Sequence, residues 1–149
     1  MPLAPQEIRT YFITSVTASR RRLFQVERNA LLFIDTLQDQ QSKGRLALHA
    51  FVVMPDHVHL MLTPSSDVSL EKAMQFIKGS FSFRLKSKLE VWQRSYDSRR
   101  ITDSTDFNER AHYIHENPAR AAISANAQSY LFSSANHQHP TDPTPPHFR

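Results

Sequence analysis

The amino-acid sequence contains no cysteine and only two glycines. Without cysteine, the chain cannot form a disulfide framework, a thiolate zinc site or a cysteine nucleophile. Two glycines are too few for a glycine-rich phosphate loop of the P-loop or dinucleotide-binding type. The absence of cysteine also fits a reducing compartment. Enzymes that depend on a cysteine nucleophile, a thiolate zinc site or a glycine-rich phosphate loop are therefore excluded.

Long apolar runs are absent as well, since no stretch approaches the ~20 residues needed to span a bilayer. No charged segment followed by an apolar run marks the N-terminus as a secretory signal. We therefore expect a cytoplasmic protein with no membrane partner. The length of 149 residues predicts one folded domain over residues 1–133. Residues 134–149 are polar and proline-rich, which predicts a flexible tail.

The net charge of +4 is compatible with nucleic-acid binding, although inert proteins share such a balance. Basic residues recur along the chain, whereas acidic residues are scattered. The run of three arginines at residues 20–22 is either a solvated turn or an edge that contacts phosphate, and the sequence leaves both interpretations open. The predicted DNA-binding residues are Arg20, Arg21, Arg22, Lys78, Arg84, Arg99 and Arg100.

Hydrophobic periodicity predicts a series of strands and helices. The strands lie at residues 10–18, 46–54, 57–63 and, short and interrupted, 91–101; the helices lie at about residues 30–41, 69–88 and 105–117. Pro118 is expected to end or kink the last helix. This βαββαβ series predicts an α+β fold with a ferredoxin-like antiparallel sheet, helices on one face and an extra C-terminal helix.

The stretch FVVMPDHVHLMLT at residues 51–63 carries the first chemical signal. Alternate residues of a strand share one face, so His57 and His59 should project together from the sheet. Two imidazoles in that arrangement can bind one metal ion. Pro55 and Asp56 supply the tight connection that makes the two apolar runs an antiparallel hairpin. The pair alone is a weak signal, because most such pairs are half-exposed polar residues.

The segment YIHEN at residues 113–117 strengthens the prediction. Residues four apart on a helix share a face, so Tyr113 and Asn117 point the same way. The Asn117 amide oxygen could serve as a third ligand. A nitrogen and oxygen site without thiolate suits Mg²⁺ or Mn²⁺, though zinc could also fit. His112 and His115 are spare candidates for a ligand or a proton carrier.

Tyr113 is the candidate nucleophile. A phenol is a poor nucleophile at neutral pH, but a nearby divalent cation favours the phenolate and polarises the electrophile. With basic residues scattered along the chain, the substrate that fits best is a DNA phosphodiester, attacked to give a phosphotyrosyl intermediate. The alternative is that the Tyr113 ring packs on the sheet and exposes its hydroxyl. Other possible nucleophiles, without a ligand at helical spacing, are Tyr11, Tyr96 and Tyr130.

Four segments in order, MPDHVHLML, FIKGSFSFRLK, WQRSYDSRRI and YIHENPARAAI, resemble the single-tyrosine HUH transposases. The closest branch is the REP-associated tyrosine transposases, and the resemblance covers residues 11–132. In the histidine–hydrophobic–histidine motif that names the family, the metal ligands fall on His57 and His59. The resemblance further implies that Tyr113 is the catalytic tyrosine and that Asn117 is the third ligand.

The resemblance also implies an activity and partners. Members of this family cut and rejoin single-stranded DNA through a 5′-phosphotyrosine, leave a free 3′-hydroxyl and recognise short hairpins. Relatives within insertion sequences are dimers, and REP-associated members can act as monomers. We therefore expect a monomer or a homodimer in a bacterial cytoplasm. Relatives often have glycine where this chain has Ala121 and Ala122, a difference that affects a turn and not the chemistry.

Three functions are to be distinguished. The leading hypothesis is a metal-dependent single-stranded DNA endonuclease and strand transferase, a transposase that acts through Tyr113. The second is a non-catalytic protein that binds hairpin DNA with the same surface. The third is a metal phosphodiesterase that uses water as its nucleophile, with Tyr113 as a bystander.

Overall fold

The antiparallel sheet is built from four strands in the order β2-β3-β1-β4. A computed structural model describes residues 8–149, so the first residues of the predicted domain 1–133 lie outside the described part. The elements are β1 (Tyr11–Val16), α1 (Glu27–Ser42), β2 (Leu46–Val53), β3 (His57–Pro64), α2 (Leu70–Leu85), β4 (Asp97–Arg100) and α3 (Ser104–Arg120). The predicted α+β, ferredoxin-like βαββαβ arrangement is confirmed.

Alternation along β3 assigns its side chains to two different cores. Val58, Leu60 and Leu62 are buried in the core beneath α1 and α2, whereas Met61 belongs to the core beneath α3. His59 points to the α3 side as well, because it is two residues from Met61 on the same strand. Helices therefore cover both faces at the centre of the sheet, and the extra helix lies opposite the other two.

Helix α2 begins and ends where the sequence provides caps. The Ser69 hydroxyl accepts a hydrogen bond of 3.1 Å from the Lys72 backbone N–H at the start of α2. The helix ends at Lys86, which adopts a left-handed conformation with φ of 56°. Apolar residues at three- and four-residue spacing form a stripe on α2, of which Leu85 is partly buried and the others are buried, namely Leu70, Ala73, Met74, Ile77 and Phe81.

The last helix, α3, is longer than predicted. Asp103 caps its start, and the Asp103 carboxylate accepts a 2.7 Å hydrogen bond from the Asp106 backbone N–H. The helix continues past Asn117 to Arg120, with the buried Pro118 in its last turn. Proline has a helical φ and loses only one intrahelical hydrogen bond there, so burial of its ring can outweigh the loss. Within residues 8–149, no helix is long and apolar enough to cross a bilayer.

The turn after α3 contains the alanine pair noted in the sequence. Ala122 has φ of 59°, in the left-handed region where glycine has no steric penalty. The glycine that relatives often have would therefore suit this turn.

The segment after α3 packs along β2 and is not the flexible tail predicted for residues 134–149. The Val53 N–H donates to the Phe132 carbonyl at 2.8 Å, and the Ser134 N–H donates to the Phe51 carbonyl at 2.9 Å. Further along, Phe148 is buried in the core beneath α3. Strand β2 is an edge of the sheet, so its outward backbone groups need partners, and this segment supplies them. A polar, proline-rich composition did not reveal that role.

Asp142 provides a test of this packing. Its carboxylate accepts hydrogen bonds from the Leu48 N–H at 2.7 Å and from the Gln41 amide at 2.9 Å. We expect Asp142→Ala to lower the free energy of unfolding by about 1–3 kcal/mol, because a partly buried N–H loses its acceptor. Urea denaturation measures this. Asp67→Ala is the matched control, since among residues 8–149 that carboxylate accepts only from the exposed Ser65 hydroxyl. Equal midpoints for the two variants would contradict the packed arrangement.

Candidate active site

The pairing of β1 with β3 determines the surroundings of His59. Thr14 lies directly opposite His59 in the register, and residues opposite one another share a face of the sheet. The Thr14 hydroxyl and His59 Nδ1 are hydrogen-bonded at 2.9 Å. On the same face, the Phe12 ring stacks on the His59 ring with centroids 5.4 Å apart. Strand β1 therefore fixes the orientation of the His59 ring.

Asp56 fixes the orientation of the His57 ring. Its carboxylate is hydrogen-bonded to His57 Nδ1 at 2.8 Å and lies 3.4 Å from the Arg20 guanidinium. Burial acts to raise the pKa of the Asp56 carboxyl, but the bond to His57 and the charges of His57 and Arg20 outweigh it and hold that pKa below its ordinary value. The His57 and His59 rings lie 4.8 Å apart between centroids. With both Nδ1 atoms engaged, Nε2 is the nitrogen each ring offers to a ligand.

Burial sets the charge state of His59. The residue is 6% exposed. Burial, and after it the neighbouring His57, lower the pKa of His59 to about 4. The ring is therefore neutral at pH 7, which is the form that coordinates metal.

This burial predicts acid sensitivity of the fold. Between pH 6.5, the ordinary pKa of His59, and about 4, its folded value, the unfolded chain binds more protons than the folded protein. The contribution is therefore present above pH 6.5 and is lost as the pH falls toward 4, up to roughly 3 kcal/mol. Denaturation of the wild type and His59→Gln at pH 7 and pH 4.5 measures it. The variant should lose less stability on acidification, and equal losses would contradict the prediction.

The predicted nucleophile meets the histidine pair in space. The Tyr113 ring on α3 lies 5.5 Å from the His59 ring and 5.9 Å from the Phe12 ring, edge-on to both. Asn117 follows one helical turn later on the same face and is half-buried. A β-strand and a helix distant in sequence therefore bring His57, His59 and Tyr113 together at one place.

The donor set fits a divalent cation. Residues 8–149 contain no cluster of three or more histidine, cysteine, aspartate or glutamate side chains arranged to hold a metal. The predicted donors are the Nε2 atoms of His57 and His59, and the Asn117 amide oxygen, one helical turn after Tyr113, is the predicted third. Such a set leaves positions for water or phosphate oxygens, which suits Mg²⁺ or Mn²⁺.

The other candidate residues make structural contacts. His115 Nε2 is hydrogen-bonded to the Ser134 hydroxyl at 2.8 Å, which ties α3 to the C-terminal segment, and His112 is exposed. The Tyr130 hydroxyl donates to the Val53 carbonyl at 2.6 Å, and burial raises the pKa of Tyr130 to about 12. Tyr11 and Tyr96 pack against the core beneath α1 and α2, on the other side of the sheet from Tyr113.

The predicted DNA-binding residues divide between the two sides of the sheet. Arg20 lies beside the site, because it forms an ion pair with Asp56. Arg99 forms an ion pair with Asp106 of α3 at 2.8 Å. On α2, Lys78 covers the Trp92 and Tyr96 rings, and Arg84 forms ion pairs with Asp35 and Asp39. The remaining three are Arg21, which donates to the Glu90 carbonyl, and the exposed Arg22 and Arg100. Only part of the set therefore lies near Tyr113.

Sequence reasoning missed four residues that contact the site. Thr14 and Asp56 hold the two histidines, and Arg110 and Arg120 place guanidinium groups over the Tyr113 ring at 5.6 and 5.7 Å from its centroid. The two arginines could have been found, because they are three residues before and seven residues after Tyr113 on one helix face. The contact of Thr14 with His59 could not have been found from the sequence, because it depends on the register of two strands.

Comparison with known proteins identifies the family to which this chain belongs. Residues 8–117 match the family model described as transposase IS200-like. The chain therefore belongs to the IS200-like transposase family. No curated protein sequence matches it.

Two solved structures are similar in fold. One is a REP-associated tyrosine transposase bound to a REP hairpin, with a TM-score of 0.76 and 21% sequence identity over 93% of this chain and 84% of that chain. The other is a transposase-like protein from Deinococcus radiodurans, with a TM-score of 0.57 and 22% identity over 75% of this chain and 93% of that chain. Identities this low support the shared fold alone.

Proposed function

We propose that this transposase is a metal-dependent single-stranded DNA endonuclease and strand transferase that acts through Tyr113. The observation that carries the proposal is the contact of the Tyr113 ring with His59, at 5.5 Å, beside the His57 ring. A water-using phosphodiesterase has no need of a tyrosine at that place. A hairpin-binding protein without activity has no need of two histidines whose Nδ1 atoms are held by Asp56 and Thr14.

Each residue has a chemical task in this proposal. His57, His59 and Asn117 would hold Mg²⁺ or Mn²⁺, which when bound polarises the scissile phosphate and favours the phenolate. The Tyr113 oxygen attacks phosphorus, so a tyrosine O–P bond forms and the P–O3′ bond breaks. The phenol proton is released and the leaving 3′ oxygen takes up a proton, which gives a 5′-phosphotyrosine and a free 3′-hydroxyl. Attack by a second strand's 3′-hydroxyl reverses the step.

The substrate class follows from the relatives and from charge. The REP-associated tyrosine transposase of similar fold is bound to a REP hairpin, and we propose that this chain also takes hairpin DNA with a single-stranded flank. Arg20, Arg22, Arg99 and Arg100 on the described surface are candidates for phosphate contacts. Lys78 and Arg84 contribute less in this scheme, because they lie on the α2 side of the sheet. The protein works as a monomer or a homodimer.

One denaturing gel tests the proposal against its two alternatives. The protein is incubated with Mn²⁺ or Mg²⁺ and labelled oligonucleotides that form a short stem with randomised single-stranded flanks. A covalent protein–DNA adduct together with a free 3′-hydroxyl fragment is the expected result. Cleavage without an adduct would indicate a water-using phosphodiesterase. A native-gel shift with neither product would indicate a hairpin-binding protein without activity.

A further inference from the structure

Two guanidinium groups flank the ring of Tyr113. The Arg110 Cζ atom lies 5.6 Å from the Tyr113 ring centroid and 5.9 Å from that of Phe12, and the Arg120 Cζ atom lies 5.7 Å from Tyr113. All of these α3 residues fall on the face that meets the sheet, because spacings of three and seven residues return to the same side of a helix. Both cations thus lie against the ring of the tyrosine that the proposed function uses.

Neither arginine forms an ion pair with a carboxylate of residues 8–149. In the part of the chain that the structure describes, no carboxylate lies within ion-pair distance of Arg110 or Arg120, whereas Arg20, Arg84 and Arg99 all have one. The Nε–H of Arg110 is moreover buried and has no hydrogen-bond acceptor among residues 8–149. A buried cationic donor that has no acceptor in the protein can be satisfied by an anionic ligand.

We propose that Arg110 and Arg120 bind the non-bridging oxygens of the scissile phosphodiester while Tyr113 attacks it, an assignment that rests on the proposed function. These oxygens carry negative charge, and they come close to the phenol oxygen when it attacks the phosphorus. A guanidinium presents N–H donors in a planar fork that matches two phosphate oxygens. Donors aimed in advance at that charge stabilise the transition state more than the ground state.

The two arginines are expected to contribute unequally to the rate of adduct formation. Arg110 is half-buried against Phe12, where a charge interaction is screened less, and Arg120 is exposed in the last turn of α3. The larger loss is therefore expected from Arg110→Gln, at about 100-fold in the rate of adduct formation, and a smaller loss of roughly 10-fold from Arg120→Gln. Arg110→Lys retains the charge without the fork and should recover part of the rate.

The competing role for Arg110 is to hold the Tyr113 ring by stacking. A methylphosphonate at the scissile position separates the two roles, because it replaces a charged non-bridging oxygen with a neutral methyl group. Adduct formation is measured with the full chain, Mn²⁺ and hairpin oligonucleotides that carry either a phosphodiester or a methylphosphonate. Arg28→Gln is the matched control, since that exposed arginine of α1 lies on the far side of the sheet.

We expect the loss from Arg110→Gln to shrink from about 100-fold on the phosphodiester to roughly 5-fold or less on the methylphosphonate, with hairpin affinity and melting temperature unchanged. Equal losses on both substrates would overturn the assignment and show that Arg110 acts by placing the ring. Arg120→Gln, at an exposed position, gives the same comparison if Arg110→Gln fails to fold. No adduct from the unmodified protein on either substrate would instead overturn the proposed function, and the assignment with it.

Discussion

Tyr113→Phe is expected to reduce the formation of covalent protein–DNA adduct by about a thousand-fold or more, because the substitution removes only the attacking oxygen. The phenyl ring keeps its edge contacts with His59 and Phe12, so the fold and hairpin affinity should remain. Denaturing gel electrophoresis of labelled DNA measures the adduct, and a native-gel titration on the same preparation measures hairpin affinity.

Tyr11→Phe is the matched control for this substitution. Tyr11 lies on β1 against the core beneath α1 and α2, so its hydroxyl is on the other side of the sheet from the histidine pair. The control should form adduct at the wild-type rate. If Tyr113→Phe still forms adduct at that rate, or if Tyr11→Phe loses it, the assignment of Tyr113 as nucleophile is wrong.

His57→Ala is expected to reduce cleavage by about 100-fold or more in Mg²⁺ or Mn²⁺, because the loss of several kcal/mol of charge stabilisation corresponds to at least that factor. Chelation of the metal should do the same to the wild type. Hairpin affinity should change little, since other residues are proposed to contact the phosphates. His57 is preferred to His59 for this test because it is less buried and its replacement disturbs the sheet less.

Two further variants sharpen the metal test. Asp56→Asn weakens the hydrogen bond that orients the His57 ring, so Mn²⁺ affinity measured by calorimetry should fall by about 10–100-fold. His137→Ala, at an exposed histidine of the C-terminal segment, should bind Mn²⁺ like the wild type. Normal cleavage by His57→Ala would show that this histidine is not a metal ligand.

Much of the fold was predictable because periodicity in this chain is strong. Alternation in β3 placed His57 and His59 on one face, and the stripe on α2 from Leu70 to Phe81 indicated a buried helix. The helix over residues 105–117 was predictable from its own sequence, and the four-residue spacing then placed Tyr113 and Asn117 on one face of it. These are local patterns, which depend on neighbours within one element.

The rest depended on contacts between elements distant in sequence. The C-terminal segment satisfies the open edge of β2 through backbone groups of Phe132 and Ser134, and backbone bonding leaves no trace in composition. Thr14 reaches His59 only through the register of β1 against β3. The basic residues were chosen by charge alone, and charge does not say which side of a sheet a residue occupies, as Arg84 shows with its ion pairs to α1.

The identity of the residue that carries DNA tests the account most directly. Trypsin cleaves after Arg110 and Arg120, so the peptide of residues 111–120 contains Tyr113 as its only tyrosine, and Tyr11 falls in the peptide of residues 10–20. The adduct formed with hairpin DNA and Mn²⁺ is trimmed with nuclease, digested and analysed by mass spectrometry. We predict a 5′-phosphonucleotide on Tyr113 in peptide 111–120. A nucleotide on any other tyrosine, or cleaved DNA without a modified peptide, would contradict it.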